Sequence, residues 1–208
     1  MTAITARVAD YLTEMGEAEL RRFLERNRPA SADEFLARLY ADLRDSIDAL
    51  ERMAQDVQTS SENSLRGRIV RDLRCRGYDA RAESDERGHA DMLVENRHIS
   101  LVWIGETKKH DAYDWLEKGL RQLHDRYTTG RHPDSGLIVF VFTRDAASVM
   151  RTWRHRLESD ALCGFVQGSC RDLGHLCFSS RHTHGGSGTE VSTRHMFVAL
   201  HYKPTDPE

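Results

Sequence analysis

Residues 88–110 read GHADMLVENRHISLVWIGETKKH, and the rest of the chain takes its meaning from this stretch. Strand side chains alternate between two faces, so residues two apart share a side. Residues 89–95 carry Met92 and Val94 with Leu93 between them. Residues 99–107 carry the run Leu101-Val102-Trp103-Ile104, apolar on both faces, as in a central strand covered on both sides. Into these apolar strands the sequence inserts three charges. Asp91 lies early in the first; Glu106 and Lys108 end the second and project to one side. Opposite charges at the end of a buried strand are costly unless they are paired or bound to metal. Pairing the two strands through a turn at Asn96-Arg97 brings Asp91 and Glu106 together. Asp91 lies five residues before that turn and Glu106 nine after it, so a bulge or bend has to close the difference.

Two clustered carboxylates make a site for a hard divalent cation, Mg2+ or Mn2+. An ammonium beside them can orient an attacking water or offset charge developing on a phosphate. Metal-assisted hydrolysis needs that combination.

Outward from this segment the periodicity changes. Residues 1–59 read as helical, with helices expected over 4–14, 17–25 and from Ser31 onward, where Glu34 is placed for a capping box. In the third of these, Phe35, Leu39, Leu43, Ile47 and Leu50 recur at helical spacing. That stripe reads first as packing within the protein; the sharper expectation is a stripe wider than one domain covers, with a homo-oligomer or a regulatory protein partner docking through the N-terminal helices. The polar run 59–64 supplies capping side chains for a helix over 62–76 with Leu65, Ile69 and Leu73 inward. A strand over 78–84 precedes the two described above. A helix over 113–127, a strand over 136–143 and a helix over 146–157 follow. Short strands are expected near 164–167, 176–179 and 195–202, the last two joined by the turn at 185–188. This order predicts an α/β sandwich. The division expected is a helical region 1–59 and a catalytic domain 60–208.

Composition narrows the class. Of 208 residues 39% are hydrophobic and 30% charged, a mixture that supports a packed core under a solvated surface. No stretch approaches a membrane span, and MTAITARVAD lacks the apolar run of a secretory signal, which predicts a cytoplasmic protein with no membrane partner. Net charge is −3, so basicity alone announces no nucleic acid. Residues 1–60 hold 8 Lys/Arg against 12 Asp/Glu; totals of 30 and 33 leave 22 against 21 for the remainder. Cys163, Cys170 and Cys177 recur every seven residues, without the close pairs of a structural zinc site, and read with Cys75 as reduced, buried thiols. His182, His184, His195 and His201 lack ligand-like spacing and read as structural. No GxxxxGK[ST] loop is present.

The motif Gly88-x-x-Asp91, a hydrophobic strand, then Glu106-Thr107-Lys108 resembles the PD-(D/E)XK, restriction-endonuclease-like nuclease superfamily. Ala90 stands where that pattern usually has Pro. Glu62, at the head of the preceding helix, resembles the family's accessory acid. Gln122 in Gly119-Leu120-Arg121-Gln122-Leu123 resembles a Gln of several branches. The likeness covers roughly residues 61–145. It implies a restriction-endonuclease-like mixed central sheet flanked by helices, with an N-terminal helical appendage. It implies that Asp91, Glu106, Glu62 and the Thr107 carbonyl hold Mg2+ or Mn2+, and that Lys108 serves the water or the phosphate. Asp91, Glu106, Lys108, Glu62 and Gln122 are then the catalytic set. The Thr107 side chain, on the opposite strand face, is expected to be dispensable. DNA is the implied substrate, and a bacterial restriction or anti-phage role is implied by the resemblance alone.

Two further readings stand beside it. One is a nuclease-fold domain that has lost catalysis and serves nucleic-acid binding or complex assembly; the other is a nuclease acting on RNA or branched DNA. Arg66, Arg68, Arg71, Arg74 and Arg76 on the helix from Glu62 can face phosphate or simply solvent. His89, Lys109 and His110 lie close enough in sequence to reach the site.

Overall fold

The computed structural model describes residues 13, 16–84, 90–127 and 134–203. The helix expected over 4–14 lies, apart from Thr13, outside the described residues, as do Gly88 and His89. Helix α1 (Glu17–Asn27) has Glu17 and Glu19 in its first turn and Arg26 in its last, the charge order that the helix dipole favours. Helix α2 (Ala32–Arg52) begins where Ser31 Oγ accepts from the Glu34 N–H. Glu34 Oε2 reaches back to the Ala30 N–H rather than to that of Ser31, one residue beyond the capping-box donor. A short 3-10 turn, Ala54–Val57, leads to α3 (Glu62–Cys75), capped by Ser61 Oγ on the Ser64 N–H.

Strands β1 (Asp79–Ser84), β2 (Ala90–Asn96) and β3 (Leu101–Lys109) form an antiparallel meander. Helix α4 (Tyr113–Gln122) and a π turn (Leu123–Tyr127) cross to β4 (Asp134–Val141), which runs parallel to β3. A parallel pair requires such a crossover. Helix α5 (Ala146–Asp160), β5 (Arg171–Asp172), β6 (Cys177–Thr183) and β7 (Glu190–Ala199) complete the chain. The result is α/β: a seven-stranded mixed sheet in the order β1-β2-β3-β4-β7-β6-β5. The buried runs of β3 and β4 take the centre, as strands covered on both faces should.

Side-chain parity divides the core. Met92, Val94, Trp103, Ile138 and Phe140 pack under α2 and α3. Leu137, Val139, Val141 and Phe197 pack under α4 and α5. The stripe Phe35, Leu39, Leu43, Ile47 and Leu50 is wholly buried in the first of these clusters. The expectation that it exceeds what one domain covers is therefore corrected: the sheet face supplies enough apolar surface to absorb all five residues. Packing is continuous across residues 59 and 60, with Val57 and Leu65 in the same cluster. Asp42, buried on α2, ties the three helices together through Arg26, Arg38, Arg76 and the Tyr78 hydroxyl. Burial alone would raise its pKa; hydrogen bonds from Arg26, Tyr78 and Arg38 overcome that and hold it at about 2.

One expectation in the last third fails locally. Residues 164–167 form no strand: a 3-10 turn at Leu162–Gly164 leaves one bridge, Phe165 to His182. Cys163 and Gly164 both take positive φ, at 53° and 68°, and break any extended run. The helix expected over 113–127 is present over that span, its final turn being π rather than α. The hairpin through 185–188 does join β6 to β7.

The histidines of this region form a directed chain. Trp153 Nε1 can only donate, so His195 Nδ1 accepts at 3.2 Å and its proton sits on Nε2. His195 Nε2 then donates to Ser180 Oγ at 2.8 Å, and Ser180 donates to His182 Nε2 at 2.7 Å. His182 is left with its proton on Nδ1, pointing at the Cys163 carbonyl at 3.3 Å. Burial lowers the pKa of His182 to about 4 and of His195 further, so both are neutral links.

Candidate active site

Strands β2 and β3 pair with Asn96 opposite Leu101 and Met92 opposite Gly105. The turn is therefore the four residues 97–100, not Asn96-Arg97. That register is not carried on to Asp91 and Glu106: the Thr107 N–H and hydroxyl take the Asp91 carboxylate, which sets the Asp91 side chain with Thr107 and not with Glu106. Asp91, Glu106 and Lys108 all sit at the end of the sheet between the start of α3 and the middle of α4.

The side chains then part. Asp91 leans toward α3: Oδ1 accepts from Arg66 Nη1 at 2.5 Å, and Oδ2 accepts from the Thr107 N–H and Oγ1, each at 2.9 Å. Glu62, the first residue of α3, accepts the Lys109 N–H at 2.6 Å. Glu106 and Lys108 lean toward α4, with Lys108 Nζ on Glu106 Oε1 at 2.5 Å. A Cβ at Gly119 of α4 would come within 2.8 Å of Lys108 Cε and 3.4 Å of Glu106 Cγ, so any larger residue there would oblige the Lys108 side chain to shift. The expected convergence on one side of the sheet edge is corrected in this respect: the residues share an end of the sheet, not a face.

The pair facing α4 is deeply buried, Glu106 at 1% exposure and Lys108 at 6%. Burial, then the charge of Asp91, pushes the Glu106 carboxyl up to about 7; Lys108 offsets this only in part, and Glu62 adds to it. Burial also raises Glu62, against the Lys109 N–H and the Lys108 charge. Glu106 Oε2 is buried with no hydrogen-bond partner. A lone carboxylate oxygen of this kind is expensive to bury and is the natural ligand of a hard cation. The donor set, carboxylate oxygens of Glu62, Asp91 and Glu106, fits Mg2+ or Mn2+ in chemistry. It is not closed: among the described residues the group whose ligand atoms all lie within 4.8 Å of one another is Asp48, Glu51 and His175, elsewhere on the molecule. Each of the three carboxylates already holds a protein donor: Glu62 the Lys109 N–H, Asp91 the Arg66 guanidinium and Thr107, and Glu106 the Lys108 ammonium.

Other expected residues take separate places. The Thr107 side chain lies away from Glu106 and Lys108, as expected, and its hydroxyl donates to Asp91, a contact not expected from the sequence. Gln122 ends α4 and lines a groove with Asp114, Glu117, Lys118, Arg121 and Asp125; it makes no hydrogen bond to Asp91, Glu106 or Lys108. Lys109 stands over the Phe142 ring at 4.6 Å, and His110 packs edge-on against Tyr113. Of the arginines on α3, Arg66 reaches the site; Arg74 and Arg76 are bonded to Ala80 and to Asp72. Sequence reading missed the particular roles of Arg66 and Gly119. Signals for both exist: Arg66 lies one turn after Glu62 on one helix face, and a glycine inside a helix costs about 1 kcal/mol and so implies a close approach.

The chain matches no protein-family model, no curated protein and no solved structure. Among the described residues no helix is long and apolar enough to cross a membrane.

Proposed function

We propose that this chain is a divalent-cation-dependent nuclease of restriction-endonuclease-like architecture that hydrolyses phosphodiester bonds in DNA. The observation that carries the reading is Glu106: a buried carboxylate with one oxygen on Lys108 and the other without a partner, at the same end of the sheet as Asp91. A bound cation would supply Lewis acidity and an activated water. Glu106, Asp91 and Glu62 are the residues to hold it. Lys108 is placed to meet the phosphate or to orient the water, and Gly119 gives it room. Arg66 and Thr107 fix the Asp91 carboxylate.

One observation favours a second reading, a nuclease-like domain that binds nucleic acid without cutting it. Each acid already holds at least one protein donor, and the three do not close into one cluster. Plasmid cleavage in Mg2+, Mn2+ or EDTA, with Lys108→Ala in parallel, separates the two. The nuclease reading expects cleavage in either cation, none in EDTA, and a loss of about a hundredfold or more in the variant. Wild-type protein that binds plasmid but never nicks it favours the second reading.

A further inference from the structure

The start of α4 places an indole beside the acidic site with nothing to bury it. Trp115 is 43% exposed, whereas Trp103 and Trp153 are fully buried. Its ring is tied to the site by cations: Lys108 Nζ, itself on Glu106, lies 5.5 Å from the ring centroid, and Lys118 Nζ lies 4.6 Å away. The nearby acids are occupied, Asp114 by Arg156 and Glu117 by Arg121, so the surface around the ring is not left acidic. Trp115 is thus a single aromatic face among charges rather than part of an apolar patch. A flat π-face beside ammonium groups suits a ligand that is itself flat and carries an anion one sugar away, which describes a nucleotide.

We propose that Trp115 is the stacking platform for an unpaired nucleobase next to the phosphate that Lys108 faces, so that the site takes single-stranded or locally melted DNA in preference to an intact duplex. This rests on the nuclease reading for the role of Lys108. Bases inside a duplex have both faces covered by their neighbours and offer none to the indole. An unpaired base offers a free face whatever its identity, so the preference is for strandedness and not for sequence. Lys118 is exposed and can leave the ring for the backbone when a base arrives. Trp115 is here a specificity residue and takes no part in bond breaking.

The test is a fluorescence titration of the full chain in EDTA, which prevents turnover. The probes are a short oligothymidylate, a strand of the same length made of abasic sites, and a duplex of the same length. Because the other two tryptophans are buried, quenching by a ligand reports on Trp115. The oligothymidylate is expected to quench and to bind about tenfold or more tighter than the abasic strand, the worth of one stacked base. Binding of the variants, which lack the reporter, is read from the anisotropy of a dye-labelled strand: Trp115→Phe is expected to stay within a few-fold of wild type, and Trp115→Ala to fall to the abasic level. The proposal is overturned if the abasic strand binds equally well, if the duplex quenches as strongly, if Trp115→Ala binds like wild type, or if no oligonucleotide binds. Cleavage in Mg2+ is scored separately. Base-dependent quenching without cleavage keeps the stacking site and removes the nuclease; cleavage with no base-dependent quenching does the reverse.

Discussion

Replacing Glu106 with Gln should make the protein more stable and inactive at once, and the size of the gain can be worked from the site. Gln is nearly isosteric with the protonated carboxyl and still offers Lys108 an acceptor. The folded-state pKa is raised from 4.5 to about 7, so the native protein binds this proton more tightly than the unfolded chain does. Stability from this group is therefore full below about pH 4.5, falls as pH rises toward 7, and is flat above that. At about 1.4 kcal/mol per pH unit the ionised carboxylate costs on the order of 3 kcal/mol at pH 8. Glu106 is almost wholly buried, so solvent screening takes little from this figure. Glu106→Gln should then be more stable by about 3 kcal/mol at pH 8 and equal to wild type near pH 4.5. For a chain of this length the gain at pH 8 corresponds to on the order of 5–10 °C in Tm. Urea denaturation in EDTA across that range measures it. Adding Mg2+ should stabilise wild type, by about 1.4 kcal/mol at ten times its Kd, and leave the variant unmoved. A variant that is less stable at pH 8, or whose advantage does not change with pH, would refute the account of a strained, cation-seeking carboxylate.

Three other outcomes follow from named contacts. Gly119→Ala gains about 1 kcal/mol of helix propensity but drives a Cβ into the Lys108 stem, so thermal melts should show little loss while cleavage rates fall at least tenfold. Thr107→Val removes the buried hydroxyl from Asp91; unfolding should show a loss of about 2 kcal/mol, with most of it restored in Thr107→Ser. At pH 5 an ordinary histidine is mostly charged, yet His182 and His195 should remain neutral, protonated on Nδ1 and Nε2 respectively in nitrogen-15 NMR. Their lowered pKa values mean that the stability they contribute is intact above about pH 6.5 and is lost as pH falls below it. Imidazolium signals at pH 5 from the folded protein would show the chain of hydrogen bonds to be misassigned.

Much of the sheet was legible because its strongest signals are local. Leu101–Ile104 and the 136–143 run are apolar on both faces, and two central strands follow from that. Helices α2 and α3 are announced by Ser31 and Ser61 and by stripes at helical spacing. What the sequence concealed is non-local. The turn was assigned to Asn96-Arg97, which is polar and turn-like; the ladder instead runs to Asn96 and Leu101, because Asn96 is buried and donates to the Arg26 carbonyl of α1. The direction of each carboxylate was also out of reach. Alternation puts Glu106 and Lys108 on one face, but Asp91 is drawn aside by Arg66, whose approach depends on how α3 lies on the sheet. The strand expected at 164–167 failed because Cys163, a residue with no bias to positive φ, adopts it.

Counting charge at the end of the sheet gives the nuclease reading its most physical support. Glu62, Asp91 and Glu106 face Arg66 and Lys108, which leaves one negative charge in a partly buried place. The structure relieves it in the one way available to the protein alone: burial and neighbouring carboxylates push Glu106 up to about 7, so near neutrality it is about half protonated. A dication would relieve it differently, displacing that proton and turning the excess to one positive charge. A phosphodiester carries one negative charge and would bring the total to zero. A purely structural ion-pair cluster has no reason to be balanced for a dication and an anion together, or to leave Glu106 Oε2 without a partner. The count yields a measurable consequence: divalent binding at pH 6 should release close to one proton per site, and at pH 8 close to none. Calorimetry in buffers of different ionisation enthalpy reads that number directly. Release that is the same at both pH values would mean that the cation binds away from Glu106, and the site would lose its claim to be a metal centre.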